Sequence, residues 1–202
     1  GNYPYLGVEI GGGMAGPYNH RVHLSPDDMP SLHLVGVGSG FNGVGYYMYH
    51  GGNNPHSLVF PGNDPKTTLQ ESSFQPAGAR NPMPSMSYDF FAPLGEFGQV
   101  RPHYHKMRRL HHLLRTWGSV LASKFSYLPA SMQPNGVRAA VRSTSPNETG
   151  FVFVSNYERL SKQPARSNVR LNLHWPEINK SITIPPKDVE SIDIPRVNEL
   201  VK

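Results

Sequence analysis

The sequence predicts an α/β unit followed by an antiparallel, sandwich-like all-β module. Two observations carry this. A strand, a helix and a second strand follow one another within about the first 50 residues, and from about residue 130 onward the apolar period drops to two. The boundary falls near residues 124–130, dividing the chain into residues 1–125 and 126–202.

The first strand is Tyr5-Leu6-Gly7-Val8-Glu9-Ile10, a mostly apolar run that stops at Gly11-Gly12-Gly13. Ser25-Pro26-Asp27-Asp28 has the form of a helix start, with Ser25 as N-cap, Pro26 at the first helical position and acids in the first turn. Met29, Leu32 and Val35 or Gly36 then continue an apolar face. Val44-Gly45-Tyr46-Tyr47-Met48-Tyr49-His50 is aromatic, β-prone and ends at Gly51-Gly52. A βαβ order implies a parallel sheet or barrel, whose site lies at the carboxyl ends of the strands. Strict alternation would put Tyr47 and Tyr49 on one side of the second strand, and Tyr46, Met48 and His50 on the other.

Residues 51–98 are rich in Gly, Pro, Asn and Ser and hold no sustained period. Directly after a strand, a loop of that length points to a role above the sheet. From Pro102 the spacing becomes helical, with Tyr104, Met107, Leu110, Leu114, Trp117 and Leu121 on one face and Lys106, Arg108, Arg109 and Arg115 largely elsewhere. Beyond Leu128-Pro129, short strands are expected at Val137 to Arg142, Phe151 to Val154, Val169 to Trp175, Ile182 to Ile184 and Ile192 to Ile194.

Composition narrows the chemistry. The 202 residues include 20 Gly, 20 Pro and no Cys. A thiolate nucleophile, a disulfide scaffold and a Cys-ligated metal are all excluded. Residues 1–100 carry 3 bases and 7 acids (net −4), and residues 101–202 carry 16 bases and 7 acids (net +9). The basic excess is spread out and lacks any nucleic-acid-binding signature, so it is expected to solvate outer faces, with no nucleic acid as partner. Between Met29 and Asn63 there is no charged residue, yet glycines and Asn42 interrupt the run, so no membrane span is expected. His103 and His105 stand about 200° apart on a helix and cannot share an ion, and no HExxH pattern occurs, so neither metal nor cofactor is expected. Asn147-Glu148-Thr149 and Asn179-Lys180-Ser181 match the glycosylation sequon, a short pattern with many chance matches. No basic and apolar leader is visible at Gly1, and the chain is expected to be a piece of a longer one.

The candidate site residue read from position alone is Glu9, a carboxylate at a strand end followed by three glycines. It could serve as nucleophile or base, or simply mark the solvent edge of the strand. Tyr46, Tyr47, Tyr49 and His50 form either a packed layer or a ligand platform, and aromatics beside Asn53, Asn54 and Asp89 would suit the apolar faces and hydroxyl fringe of a sugar.

Several ordered motifs resemble the β-galactosidases of glycoside hydrolase family 35. They are Gly7-Val8-Glu9-Ile10-Gly11-Gly12-Gly13-Met14 with Asn19-His20-Arg21, and Gly45-Tyr46-Tyr47-Met48-Tyr49-His50-Gly51-Gly52-Asn53-Asn54-Pro55. Thr68-Leu69-Gln70-Glu71-Ser72, Ser87-Tyr88-Asp89-Phe90-Phe91-Ala92-Pro93-Leu94-Gly95-Glu96-Phe97-Gly98, and Arg142-Ser143 through Gly150 to Tyr157 continue the likeness. It covers roughly residues 3–184, with residues 185–202 fitting less well.

The resemblance implies the last two βα units of a (β/α)₈ barrel, followed by the start of a β domain. It implies a retaining exo-hydrolase that removes terminal β-linked galactose from oligo- or polysaccharides. Glu9 matches the family's nucleophile at the end of the seventh strand, and Tyr47, on the eighth, matches a tyrosine lining the galactose pocket. Asp89 and Phe90 fall in the substrate loop; Phe90 stands where some members have a sugar-contacting Tyr, and Asn53 where Thr is more usual. A retaining mechanism needs two carboxyls about 5–5.5 Å apart. The resemblance puts the acid/base glutamate on the fourth strand, in the N-terminal barrel half that precedes Gly1, so the chain alone is expected to be inactive. Asp89 or Glu96 as substitute acid is disfavoured because both lie in the substrate-loop segment. An extracellular or periplasmic setting is implied, lysosomal or vacuolar in some relatives. A competing reading from another class is a non-catalytic carbohydrate-binding piece whose β module does the binding.

Overall fold

The computed structural model describes residues 3–20, 22–54, 83–84, 86–129, 137–144 and 150–165, and residues 171–175, 178–184 and 200–201 as strands only. Most of the 51–98 loop, the Thr68 to Ser72 motif, Arg21, the Asn147 sequon and Ile192 to Ile194 lie outside these residues.

β1 (Leu6–Gly11) and β2 (Gly43–Tyr47) form a parallel pair joined by α1 (Asp28–Gly38). Leu6 pairs with Gly43 and Gly7 with Val44, then the register shifts before Ile10 pairs with Tyr46 and Gly11 with Tyr47. That shift spans Val8 and Glu9.

α1 begins two residues later than its sequence signal, because Ser25 is consumed by a turn. Its hydroxyl accepts from the Asp27 N–H (3.3 Å), its N–H donates to Asp28 Oδ2 (2.7 Å), and its carbonyl accepts from the Asp28 N–H (3.1 Å). Asp27 takes the N-cap position, and Pro30 becomes the third helical residue, where a missing N–H leaves no intrahelical bond unmade. The buried face also differs from expectation. Leu32 and Val35 are exposed, while Met29, His33, Leu34 and Val37 are buried. The helix is turned to set its glycines against aromatic rings: a Cβ on Gly36 would stand 2.4 Å from Phe41, and one on Gly38 2.9 Å from the Phe153 Cβ.

A two-residue hairpin follows, β3 (Gly52–Asn53) against β4 (Ser87–Tyr88). α2 (Pro102–Ala122) starts as its spacing predicts, with extended Arg101 before it and Pro102 at its first position. It buries His103, Met107, Leu110 and Leu121.

β5 (Phe125–Tyr127), β6 (Arg138–Ser143), β7 (Gly150–Ser155) and β10 (Leu200–Val201) make an antiparallel sheet in the order β10-β7-β6-β5. β8 (Leu171–Trp175) and β9 (Ile178–Ile184), which holds the Asn179 sequon, form a separate antiparallel pair. β5 was not foreseen as a strand, and it lies across the expected 125/126 boundary.

The core joins the two parts. Leu34 and Val37 of α1, Leu110 and Leu121 of α2, and Ala140, Phe151 and Phe153 of the sheet form one buried cluster, with Trp117 edge-on to Phe151 at 6.2 Å. At its margin sits Arg142, 1% exposed. Its guanidinium donates to the carbonyls of Val37 (3.1 Å) and Phe41 (3.0 Å) at the end of α1, and to those of Leu121 (2.9 Å) and Lys124 (3.0 and 3.3 Å) at the end of α2. Helix C-termini present unpaired carbonyls and partial negative charge, so one cation from the sheet caps both helices.

Candidate active site

The carboxyl ends of β1 and β2 lie side by side, and the chain crowds there. A Cβ on Gly12 would meet the Met48 carbonyl at 2.2 Å, and one on Gly13 the Phe90 carbonyl at 2.1 Å. The Gly12 N–H donates to Tyr47 O (2.9 Å) and the Met14 N–H to Phe90 O (2.5 Å). The glycines after Glu9 therefore bring backbone, not ligand, into close approach, and they hold the Phe90 segment over the ends of both strands.

Glu9 itself is exposed and has φ +57°, a left-handed conformation that a glutamate avoids unless its surroundings impose it. It sits inside the register shift of β1, and bulges of this kind re-aim a side chain beside active sites. Phe90 (φ +53°) and Phe91 (φ +52°) share the left-handed region. Three strained residues thus converge on one end of the parallel pair.

Tyr47, level with Gly11 on the neighbouring strand, begins an aromatic wall. Its ring stands edge-on to Phe90 at 5.7 Å and to Tyr88 at 6.4 Å, its hydroxyl bonds that of Tyr88, and Tyr88 lies 4.4 Å from Phe90. Next to this wall is an open cleft of about 170 Å³ whose lining includes Ala15, Gly16, Ser87, Asp89, Phe90 and Phe91 but neither Glu9 nor Tyr47. Ligand pockets start at about 300 Å³, so the cleft can take part of a sugar ring.

Asp89 lines this cleft, but its carboxylate is engaged. Oδ1 accepts from the Glu96 N–H (2.8 Å) and Arg101 (3.0 Å), and Oδ2 from Arg101 (2.9 Å) and the Phe91 N–H (3.1 Å). Burial pushes its pKa up; the Glu96 N–H, the bonds and charge of Arg101 and the Phe91 N–H outweigh that and hold it below the usual value. Asp89 thereby fixes the Phe90 turn. Glu96 acts alongside it, with one carboxylate oxygen accepting from Asn53 Nδ2 and the other from Ser87 Oγ (2.6 Å), so it bridges two paired residues of the β3–β4 hairpin.

Behind the site, each helix sends one histidine to a carbonyl of it. His33 Nε2 donates to Gly11 O (2.9 Å) and His103 Nε2 to Phe91 O (2.9 Å). Burial lowers the His33 pKa to about 4, against the pull of the Gly11 bond and with help from His111, and it also lowers that of His103. Tyr46 packs on His33 (4.5 Å) and Tyr49 (5.2 Å) and is hydrogen-bonded to His111 Nε2 (2.6 Å); burial, then the charge of Tyr49, pushes its pKa up to about 12. Tyr49 therefore joins Tyr46 on the helix side, not Tyr47 as alternation required. β2 ends at Tyr47, and the period-two rule ends with it. No group of three or more His, Asp or Glu suited to a metal occurs among the described residues.

Glu9, Tyr47, Asp89 and Phe90 thus all belong to one end of the β1–β2 pair. Sequence reasoning missed Tyr88, Arg101 and His103. Only Tyr88 had a signal, its place in an aromatic run, whereas Arg101 and His103 act across a loop that has no period. No helix among the described residues is long and apolar enough to cross a membrane. No model of a known protein family matches the chain, and no curated protein matches it.

Proposed function

We propose that this chain forms the C-terminal part of the catalytic barrel of a retaining exo-β-galactosidase, with Glu9 as its nucleophile. The observation that carries the reading is the exposed carboxylate of Glu9, carried on a strained backbone within a strand irregularity near the carboxyl end of a parallel strand whose neighbour bears the Tyr47 and Phe90 rings. Backbone strain of about 1–3 kcal/mol is retained where a side chain's direction matters. The galactose assignment rests on the motifs around Glu9 and Tyr47.

In this reading the Glu9 carboxylate attacks the anomeric carbon as the bond to the leaving oxygen breaks, forming a glycosyl ester. A second carboxylic acid protonates the leaving oxygen, then takes a proton from the water that cleaves the ester. Asp89 is engaged by Arg101 and two backbone N–H groups, and Glu96 by Asn53 and Ser87, so the acid is assigned to a preceding barrel strand. An apolar margin supports such a neighbour: Leu6 and Val8 of β1 and Leu32 and Val35 of α1 are exposed where a further βα unit would pack.

The test is a 2-fluoro-galactosyl label applied to the longer protein carrying this chain, followed by peptide mapping. The label is expected on Glu9, and Glu9→Gln is expected to abolish labelling and lower turnover at least about a thousandfold. A label on another residue, or turnover by the 202-residue chain alone that survives Glu9→Gln, would overturn the assignment.

A further inference from the structure

The outer face of α2 is a basic strip without interspersed acids. His105, Arg108, Arg109, His112 and Arg115 are all exposed and follow helical spacing. At about 100° per residue they fall within an arc of about 120°, and at about 1.5 Å per residue they span about 15 Å. No Asp or Glu occurs anywhere from Phe97 to Asn147. Among the described residues none of the three arginines forms a salt bridge, the ion pairs there being Arg101 with Asp89, Lys106 with Asp27 and Arg159 with Asp28.

Such a strip weakens its own helix. Arg108 and Arg109 are adjacent and Arg115 stands two turns beyond Arg108, with no acid interspersed to relieve their mutual repulsion. The first turn also holds no acid to meet the helix dipole. A merely soluble surface needs neither feature, so the strip fits a polyanion.

The surroundings choose among polyanions. The apolar face of α2 is buried against Leu34, Ala140 and Phe151, so it is not free to enter a bilayer. The strip itself contains no Phe, Tyr or Trp on which a base could stack. Its N-terminal end adjoins Arg101 and His103, which hold the Asp89 to Phe91 segment of the candidate site. A linear polymer lying on the strip would therefore run up to a glycan-cleaving centre.

We propose that this face of α2 docks a carboxylate-bearing polysaccharide, whose uronate groups pair with Arg108, Arg109 and Arg115 while a neutral sugar branch reaches the site. The choice of a glycan as the polyanion rests on the glycosidase reading; the cationic strip does not.

The test measures binding of polygalacturonate, neutral β-galactan and a DNA duplex to the longer protein, at low and at physiological salt. Polygalacturonate is expected to bind more tightly than either of the others, weakening as salt rises. Arg108→Glu with Arg109→Glu is expected to weaken it at least tenfold, and Arg115→Glu alone by less, while exposed Lys162→Glu leaves it unchanged. Circular dichroism verifies that the variants fold, and Glu9 labelling is expected to be unaffected by the reversals. No polygalacturonate binding at low salt, or binding indifferent to the double reversal, overturns the proposal. Equal or tighter binding of the duplex overturns it in favour of nucleic acid. If Glu9 fails to label while reversal-sensitive, polygalacturonate-selective binding persists, the hydrolase reading falls and the docking strip stands.

Discussion

Replacing Arg142 by methionine keeps most of the side-chain volume and removes the five hydrogen bonds that reach Val37, Phe41, Leu121 and Lys124. Each such bond from a charged donor contributes about 1.5–3 kcal/mol, but the terms do not add, because removing the guanidinium also removes the penalty of burying a charge. Burial alone pulls the Arg142 pKa down, which marks that penalty as real. The carbonyls of Phe41 and Lys124 lose these donors, those of Val37 and Leu121 keep only the backbone N–H groups of Gly40 and Lys124, and the net loss is about 3–5 kcal/mol. At about 2–4 °C per kcal/mol for a chain of this size, the midpoint of thermal unfolding should fall by about 10 °C, followed by far-UV circular dichroism. Arg142→Lys should recover little, since one ammonium cannot span both helix ends. A fall of under 3 °C for Arg142→Met, or full rescue by lysine, would refute the idea that this side chain ties the helices to the sheet.

The buried histidine makes stability depend on pH. His33 has a folded pKa of about 4 against about 6.5 unfolded, so the unfolded chain binds the extra proton between those values; the contribution, at most about 3 kcal/mol, is complete above about pH 6.5 and is lost as pH falls toward 4. His103 and His111, both lowered by burial, act in the same direction. His33→Gln retains a donor for Gly11 O and should flatten the fall of the unfolding midpoint between pH 7 and 4.5, whereas parallel curves for variant and parent would remove His33 as its cause. Gly13→Ala places a methyl 2.1 Å from the Phe90 carbonyl and should destabilise by about 2–4 kcal/mol, measured by urea unfolding. Gly118→Ala, with open space around it in α2, should instead stabilise by about 1 kcal/mol, and equal effects at the two positions would contradict the crowding at the strand ends.

What could be read in advance was periodic. α2 begins at Pro102 because its apolar spacing runs over many residues and a proline opens it, and β6 and β7 follow from short β-prone runs. α1 was harder, since Ser25 carries the chemistry of a cap yet spends its hydroxyl on a turn, and since glycines rather than large side chains decide which face packs. Glu9 was visible as a strand-end carboxylate, but its left-handed φ was not, because it lies within a register shift of β1 against β2, a strand about 35 residues downstream. The same distance hid Arg142: an arginine in an alternating strand reads as solvent-facing, and only the approach of two helix ends makes it buried. Asp89 was visible, while the donors of its four hydrogen bonds were not, because three of those bonds come from Glu96 and Arg101, seven and twelve residues downstream with no pattern between.

The shared core also bears on how this chain can be divided. Phe151, Phe153 and Ala140 are buried by Leu34, Val37, Leu110 and Leu121, and β5 leaves α2 after only two intervening residues. A β module cut out at residue 126 would carry that greasy face into water and lose one of its strands. Evolution could not trade this module between proteins as a self-contained cassette, and an experimenter cannot weigh its binding properties in isolation. Helices α1 and α2 and the β sheet must be inherited, expressed and assayed as a single unit.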